Sequence, residues 1–266
     1  MAGLFKTADF NFFKSLMVEA GAAAMQIQDG AIEVRRKSDN SIVTRADLVV
    51  QDLLMNEIAA RYPDINFIHE ENYSGDSPAV EDETVSAIID PIDGSAMYSM
   101  HLPVWSVSVG IFKGYTPWYG FVYSPGFHML FYNDDSNAYL NNTVMKAVRD
   151  FTIDTETNIF FASEIENKFN IEFPGKIRNL GSTALHACLT IDNARNRTLA
   201  FIGRSHLWDW AGAIPIIIKA GGNVRYLSGQ EIQFRDVIRN ECRMLDYVLV
   251  YNSDDFESVR NIFKKK

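Results

Sequence analysis

Two carboxylates, Asp90 and Asp93, follow an apolar run at residues 85–89 that is typical of a buried strand. The end of a strand holds its last side chains rigidly. Pro91 fixes one backbone dihedral angle, and Gly94 lets the chain turn close to whatever the carboxylates bind. Hard anionic oxygen donors in so rigid a setting suit a hard divalent cation such as Mg²⁺. An ordinary Pro-x-Asp-Gly turn with solvated acids has the same local sequence, so this motif alone leaves both interpretations open.

Four more acids lie at the boundaries of predicted elements. Glu70 and Glu71 follow a short apolar strand, and Asp209 lies at the start of a long apolar helix. Asp47 comes three residues after Thr44, which is the spacing of a helix capping box. Each acid also has a purely structural explanation, as a surface charge, a helix cap or a partner of the helix dipole. A site is therefore predicted only if the acids converge in space.

The order of these motifs resembles that of the inositol monophosphatase family, within the superfamily that also holds fructose bisphosphatases and bisphosphate nucleotidases. The resemblance covers about residues 37–222. It implies a phosphoric monoester hydrolase with a layered α-β-α-β-α sugar-phosphatase fold. The motifs that carry it are Lys37-Ser38, Val43-Thr44-Arg45-Ala46-Asp47, Glu70-Glu71, Asp90-Pro91-Ile92-Asp93-Gly94-Ser95 and Trp208-Asp209-Trp210-Ala211-Gly212.

The resemblance implies a centre that holds two or three Mg²⁺ ions. Asp90 would bridge two of them, and Glu71 would be a secondary residue that holds water for a further, weaker ion. Two such ions can activate a water and stabilise the leaving oxygen of a phosphate ester. Mg²⁺ fits because every implied ligand is an oxygen. The implied ligands are the carboxylates of Glu70, Asp90, Asp93 and Asp209 and the carbonyl of Ile92, with Glu70 also counted as catalytic.

The remaining implied residues handle the attacking water and the substrate. Ser95, paired with Asp47, would orient the water, and the amides of Gly94 and Ser95 would contact the phosphate, as turns that enter helices do. Ser182 and Thr183 open a predicted helix and by resemblance line the substrate side, although a plain N-cap explains them equally well. Lys37 would help hold the water network or the phosphate, with a solvated loop lysine as the alternative.

Departures from the family pattern leave the substrate open. Ile202 stands where members that prefer inositol phosphate usually carry a glutamate, and Arg204 nearby could meet a second anionic group. The prediction is therefore a phosphatase of a small phosphate monoester. Alternatives are a phosphatase of a nucleoside bisphosphate or fructose bisphosphate, and a regulatory protein that binds the transcription machinery. The resemblance also implies a homodimer and inhibition by Li⁺.

Composition favours a soluble, cytoplasmic protein. The net charge of −9 over 266 residues argues against a nucleic-acid-binding surface, which needs clustered Lys and Arg. The two cysteines, Cys188 and Cys242, form no disulfide framework. The longest apolar stretch, residues 211–218, is far shorter than the roughly 20 residues that span a bilayer. The N-terminal residues also lack the pattern of a signal peptide.

The pattern of elements changes near residue 150. We predict an N-terminal α+β metal-binding domain over residues 1–150 with an antiparallel sheet, and a C-terminal α/β domain over residues 151–266, with the site at their junction. Short turns between strand-like segments after the central motif favour an antiparallel meander. Helices are predicted over residues 8–28, 44–61, 182–194, 208–220, with a kink at Pro215, and 254–264.

Overall fold

The structure, a computed structural model, describes residues 5–30, 32, 34–36, 42–71, 73, 79–150 and 152–266. The N-terminal part contains two long helices and a seven-stranded sheet with the strand order β3-β4-β5-β6-β7-β8-β9. Its elements are α1 (Thr7–Gln28), β1 (Val34–Arg36), β2 (Ile42–Thr44), α2 (Arg45–Arg61), β3 (Asn66–His69), β4 (Val85–Asp93), α3 (Ser95–Ser99), β5 (Ser106–Lys113), β6 (Thr116–Ser124), β7 (Met129–Asn133), β8 (Ala138–Leu140) and β9 (Thr143–Met145).

The C-terminal part alternates strands and helices around a five-stranded mixed sheet with the order β12-β10-β13-β15-β14. Its elements are β10 (Asn158–Phe161), α4 (Ile165–Lys168), β11 (Phe169–Ile171), β12 (Lys176–Arg178), α5 (Thr183–Ile191), α6 (Asn193–Asn196), β13 (Thr198–Gly203), α7 (Leu207–Ala211), α8 (Ala213–Ala220), β14 (Asn223–Tyr226), α9 (Phe234–Arg239), β15 (Val248–Tyr251), α10 (Phe256–Arg260) and β16 (Phe263–Lys265).

The elements stack as five layers, because each sheet has apolar side chains on both faces. One core cluster joins α1 and α2 to the first face of the seven-stranded sheet. A second cluster places α5, α7 and α8 between the two sheets. A third covers the outer face of the five-stranded sheet with α4 and α10. The predicted α-β-α-β-α fold is confirmed. The division at residue 150 stays a prediction.

Helix α2 begins as its sequence predicts. The Thr44 hydroxyl accepts a hydrogen bond from the amide of Ala46 at 3.2 Å, and the Asp47 carboxylate accepts one from the amide of Thr44 at 2.7 Å. These bonds satisfy amide groups that a helix N-terminus leaves without partners. The capping box is therefore confirmed, and it fixes the position of the Asp47 side chain.

Three predictions about elements are corrected. The first sheet is not wholly antiparallel, because β3 pairs parallel with β4. The helix predicted over residues 182–194 ends at Ile191 as α5, and a separate short helix, α6, begins at Asn193. The helix predicted over residues 254–264 is only α10, because Phe263 and the residues after it form β16, which pairs with β11.

The helix predicted over residues 208–220 is interrupted, which gives α7 and α8. The break falls at Gly212, after Ala211. Pro215 explains it, since proline has no N–H to donate to the carbonyl of Ala211, four residues back, and its ring clashes with that carbonyl. The predicted kink is thus present as a local break at Gly212, which keeps right-handed helical dihedral angles.

The backbone at this break lies directly on the seven-stranded sheet. Gly110 of β5 and Gly120 of β6 are paired across the strands. A Cβ atom at either position would collide with the carbonyl of Ala211 or of Gly212. The two glycines therefore let the main chain of α7 and α8 approach β5 and β6 more closely than larger residues would permit.

Within the described ranges, no helix is long and apolar enough to cross a membrane.

Candidate active site

The parallel pairing of β3 and β4 brings two predicted ligands to the same edge of the sheet. His69 pairs with Ile89, and the amide of Glu70 donates to the carbonyl of Ile89 at 3.2 Å. Glu70 and Asp90, the residues that follow this pair, therefore lie side by side at this edge of the sheet. Glu70 is half-buried, whereas Asp90 is fully buried.

A third acid reaches this edge from helix α7. One carboxylate oxygen each of Asp90, Asp93 and Asp209 lies within 4.8 Å of the other two. Helix α7 packs across β4 and β5, and the Asp209 carboxylate caps its start by accepting the amide of His206 at 2.9 Å. Acids more than a hundred residues apart along the chain therefore converge. Glu70 lies outside this tight trio, although its charge acts on Asp90 and Asp209.

The Asp90 carboxylate has the least favourable surroundings of the trio. Both of its oxygens are buried, and neither has a hydrogen-bond partner among the described residues. Burial, and then the charges of Glu70 and Asp93, raise the pKa of Asp90 well above its usual value. Burial and the same two charges raise the pKa of Asp209 as well. A buried carboxylate of this kind requires a proton or a cation.

Asp93, by contrast, accepts hydrogen bonds from both halves of the chain at their junction. Its Oδ1 accepts the amide of Thr183 at 2.9 Å. Its Oδ2 accepts the amide of Ala184 at 2.7 Å and the hydroxyls of Ser182 and Ser106. Burial raises the pKa of Asp93 to about 6, and these hydrogen bonds oppose the rise. Since Oδ1 accepts a single hydrogen bond, it retains a lone pair that can face a cation.

Asp47 and Ser95 form a hydrogen-bonded pair next to this cluster. The Ser95 hydroxyl lies 3.1 Å from Asp47 Oδ1 and 2.9 Å from the carbonyl oxygen of Ile92. Asp47 Oδ2 is occupied by the amide and the hydroxyl of Thr44, each at 2.7 Å. The capping box of α2 therefore holds Oδ2 and leaves Asp47 Oδ1 directed at Ser95.

Gly94 links the acids to helix α3 through a left-handed conformation, with φ of 102°. A Cβ atom at Gly94 would lie 3.2 Å from the carbonyl oxygen of Gly181 and 3.4 Å from Cβ of Ser182. The left-handed dihedral angle favours glycine, and a Cβ atom would also press on the carbonyl of Gly181. The turn therefore touches the loop before α5. Contacts of the Gly94 and Ser95 amides with phosphate stay a prediction.

Two residues predicted on the substrate side serve Asp93 in this structure. Ser182 is fully buried and is the N-cap of α5, where its hydroxyl accepts the amide of Leu185 at 3.2 Å. The Thr183 amide is bound to Asp93, and its side chain is half-buried. Direct contact of either residue with a substrate stays a prediction.

The other predicted residues are more distant or more indirect. Arg204 is exposed; its Nε donates to the carbonyl of Met244 at 3.2 Å, and its guanidinium lies 5.8 Å from the ring centre of Tyr247. Its role toward a second anionic group stays a prediction. Glu71 is buried, and Gln51 binds both its amide and its carbonyl. Lys37 lies outside the described residues.

Sequence reasoning missed Ser106 as part of the site. Ser106 pairs across the strands with Asp93, is fully buried and contacts both Asp93 and Ser182. The signal was its polar side chain among the apolar residues of β5, although Ser108 shares that feature. Using it would have required the register of β4 against β5, which the sequence does not state.

The residues present fit a hard divalent cation. The three clustered carboxylates offer only oxygen donors, and Asp90 has no partner of its own among the described residues. None of Asp90, Asp93 and Asp209 forms a salt bridge within the described part of the chain. Uncompensated buried negative charge with oxygen ligands is the arrangement that Mg²⁺ or Ca²⁺ neutralises.

Comparison with known proteins gives a consistent result. The sequence profile of the inositol monophosphatase family matches residues 7–252. Inositol monophosphatase 1 of Solanum lycopersicum is 29% identical over 239 residues, which are 82% of this chain and 86% of the relative. An IMPase structure from Thermotoga maritima superimposes with a TM-score of 0.77 at 25% identity, covering 96% of this chain and 95% of its own.

A further neighbour supports the fold alone. The structure of an IMPase/NADP phosphatase complexed with NADP and Ca²⁺ has a TM-score of 0.81 at 17% identity, covering 98% of this chain and all of its own. The family resemblance, the fold and the enzyme class predicted from the sequence are thus confirmed. The chain belongs to the inositol monophosphatase family, whose members are metal-dependent phosphatases that hydrolyse phosphate monoesters.

Proposed function

We propose that the protein is a Mg²⁺-dependent phosphatase that hydrolyses a small phosphate monoester by direct attack of water. The observation that carries this proposal is the trio of Asp90, Asp93 and Asp209, whose carboxylate oxygens lie within 4.8 Å of one another. The oxygens of Asp90, which have no hydrogen-bond partner in the described part of the chain, indicate that this cluster is built for positive charge.

The set of ligands is the one that the family resemblance implies, and the structure supports part of it. Asp90, which offers two oxygens without partners among the described residues, would hold the ions together with Asp93 and Asp209, and Glu70 would be a further ligand. The ions, two or three in number, would supply the positive charge that activates water and stabilises the phosphoryl and leaving oxygens. The carbonyl of Ile92 lies at the same turn and would share in this set.

Ser95 and Asp47 would hold the attacking water. When the Ser95 hydroxyl donates to Asp47 Oδ1, its lone pairs point away from the carboxylate and can accept a proton of the water. The water proton then passes to Ser95 Oγ as the hydroxyl proton passes to Asp47. Thr44 keeps Asp47 oriented for this step, since it donates to the other oxygen twice. Such positioned bases contribute on the order of 10²–10⁴ in rate.

Three small phosphate esters are candidate substrates, and an assay of phosphate release distinguishes them. Ile202 is buried in β13 and offers no carboxylate to polyol hydroxyls. The decisive experiment measures phosphate release from inositol phosphate, fructose bisphosphate and adenosine bisphosphate, each with and without Mg²⁺. We expect one ester to be hydrolysed only with Mg²⁺. Release that is independent of Mg²⁺, or absent with every ester, would contradict the proposal.

The homodimer, Li⁺ inhibition and cytoplasmic location are further proposals that rest on the family. Size-exclusion chromatography with light scattering tests the dimer, and Li⁺ titration of the Mg²⁺-dependent rate tests the inhibition. The regulatory alternative predicts that an Asp93→Asn variant without phosphatase activity still captures the transcription machinery from a lysate. Loss of capture together with activity would refute that alternative.

A further inference from the structure

His186 is a buried residue of α5 that the proposed mechanism does not use. Its Nε2 lies 2.7 Å from the amide nitrogen of Leu180, six residues back. Its own amide donates to the carbonyl of Ser182 at 3.0 Å. One residue thus closes the loop over residues 180–186 at two points, once through its side chain and once through its backbone.

The tautomer of His186 follows from its partner. A backbone N–H can only donate, so Nε2 must be the unprotonated nitrogen and Nδ1 must carry the proton. Burial lowers the pKa of His186 to about 3. The ring therefore stays neutral at physiological pH and keeps its acceptor.

The C-terminal sheet holds the ring of His186 in place. Its centre lies 5.1 Å from that of Phe160 in β10 and 4.9 Å from that of Phe201 in β13. A ring packed between two others has little freedom to rotate. The amide of Leu180 is thus attached, through His186, to the five-stranded sheet.

The same loop binds Asp93 at its other end. Ser182, Thr183 and Ala184 donate three hydrogen bonds from one turn, through a hydroxyl and two amides, to the two oxygens of Asp93. The loop therefore connects the seven-stranded sheet, which carries Asp93, to the five-stranded sheet, which holds His186. Its position at the junction depends on both attachments.

We propose that His186 is a positioning residue, which accepts the Leu180 amide and thereby sets the turn over residues 180–184 that fixes Asp93 in the acid cluster. The consequence for turnover rests on the function proposed above; the consequence for the loop itself does not. A side chain that only filled space between Phe160 and Phe201 would need no acceptor.

Two substitutions separate the acceptor from the packing. His186→Phe keeps a ring between the two phenylalanines but leaves the Leu180 amide without a partner. His186→Gln loses the ring but places an amide oxygen at a similar reach to Nε2. If His186 only packs, His186→Phe should disturb the protein less than His186→Gln. If His186 positions the loop, His186→Gln should disturb it less than His186→Phe. Thr190→Val is the matched control, because it removes a buried hydrogen bond to the carbonyl of His186 one turn further along α5.

The measurements are hydrogen exchange of the Leu180 amide by NMR, Mg²⁺ binding by calorimetry, and kcat and KM with the best ester. For His186→Phe we expect exchange at Leu180 at least about tenfold faster and Mg²⁺ binding about tenfold weaker, since a half-buried amide loses its acceptor. For His186→Gln both should stay within about threefold of wild type, because the amide oxygen can replace the lost acceptor. Thr190→Val should lower the melting temperature without changing Mg²⁺ binding.

The proposal is overturned if His186→Phe matches wild type in exchange and Mg²⁺ binding, if Gln loses as much as Phe, or if Thr190→Val weakens Mg²⁺ binding equally. If the wild-type protein releases phosphate from no ester, the proposed function fails. The exchange rate of the Leu180 amide would still decide the role of His186.

Discussion

Replacing Asp90 by asparagine should stabilise the metal-free protein and at the same time abolish Mg²⁺-dependent hydrolysis. Asp90 is buried and lies within 4.8 Å, oxygen to oxygen, of Asp93 and Asp209. Two unit charges at that separation repel by about 3.5 kcal/mol at an effective dielectric constant near 20. Asparagine has nearly the same shape and removes this repulsion, but it cannot bridge two cations.

The pH dependence gives the sign of the effect. Burial and the neighbouring charges raise the pKa of Asp90 above 3.8 in the folded protein, so folding becomes less favourable as the pH rises above 3.8. The destabilisation grows by about 1.36 kcal/mol per pH unit until the pH reaches the raised pKa, where Asp90 loses its proton in the folded state as well. It is therefore larger at pH 7 than at pH 5. With an unfolding entropy of roughly 2.1 cal/mol/K per residue, relief of a repulsion of about 3.5 kcal/mol corresponds to about 6 °C.

The assay is thermal unfolding in a chelator at pH 5 and pH 7, followed by addition of Mg²⁺. We expect Asp90→Asn to melt above wild type at pH 7, by a smaller margin at pH 5, and to gain nothing from Mg²⁺. Asp64→Asn, at an exposed turn, is the control for loss of one negative charge. An Asp90→Asn variant that melts below wild type without metal, or that turns over normally with Mg²⁺, would refute the reasoning.

Three further predictions concern the water-holding pair, the glycine contact and the N-terminal helices. Ser95→Ala should lower kcat about 100-fold or more while Ser95→Thr retains most activity, as steady-state kinetics would show; equal loss in both would exclude the hydroxyl as the relevant group. Gly110→Ala should cost about 1–3 kcal/mol in urea unfolding, because its Cβ collides with the backbone of α7; an unchanged midpoint would mean that the helix is free to shift. Burial alone would raise the pKa of Asp9, but hydrogen bonds from a backbone amide, Tyr62 and Arg61 lower it below 3.8. Asp9 therefore stabilises the fold above that pH and loses the effect as pH falls through its lowered pKa, so Asp9→Asn should be less stable than wild type at pH 7 and lose this deficit in acid, and a difference independent of pH would contradict this.

The sequence was sufficient to predict the features that depend on local pattern. The capping box at Thr44 and Asp47, the meander after the central motif and the convergence of Asp90 and Asp93 with Asp209 all follow from short motifs and the family resemblance. A kink caused by Pro215 was predicted, and the helix breaks nearby at Gly212. This effect is local, because the constraint imposed by proline reaches only four residues back.

The features that the sequence did not predict depend on residues far apart along the chain. The C-terminal helix shortens because residues from Phe263 onward pair with β11, far earlier in the chain, and no local signal reports such pairing. The hydrogen bonds that occupy Asp93 come from Ser106 and from the N-terminal turn of α5. Their existence depends on how the two sheets face each other, which a pattern of side chains along the chain does not specify.

The contact of α7 with Gly110 and Gly120 has a consequence for the dimensions of the acid cluster. The spacing between the sheet that bears Asp90 and the helix that bears Asp209 is set by main-chain atoms touching main-chain atoms. Peptide groups have the same size whatever side chains they carry. Substitutions elsewhere in the interior can therefore accumulate without altering the separation of these two carboxylates, whereas a single methyl group at either glycine would widen it.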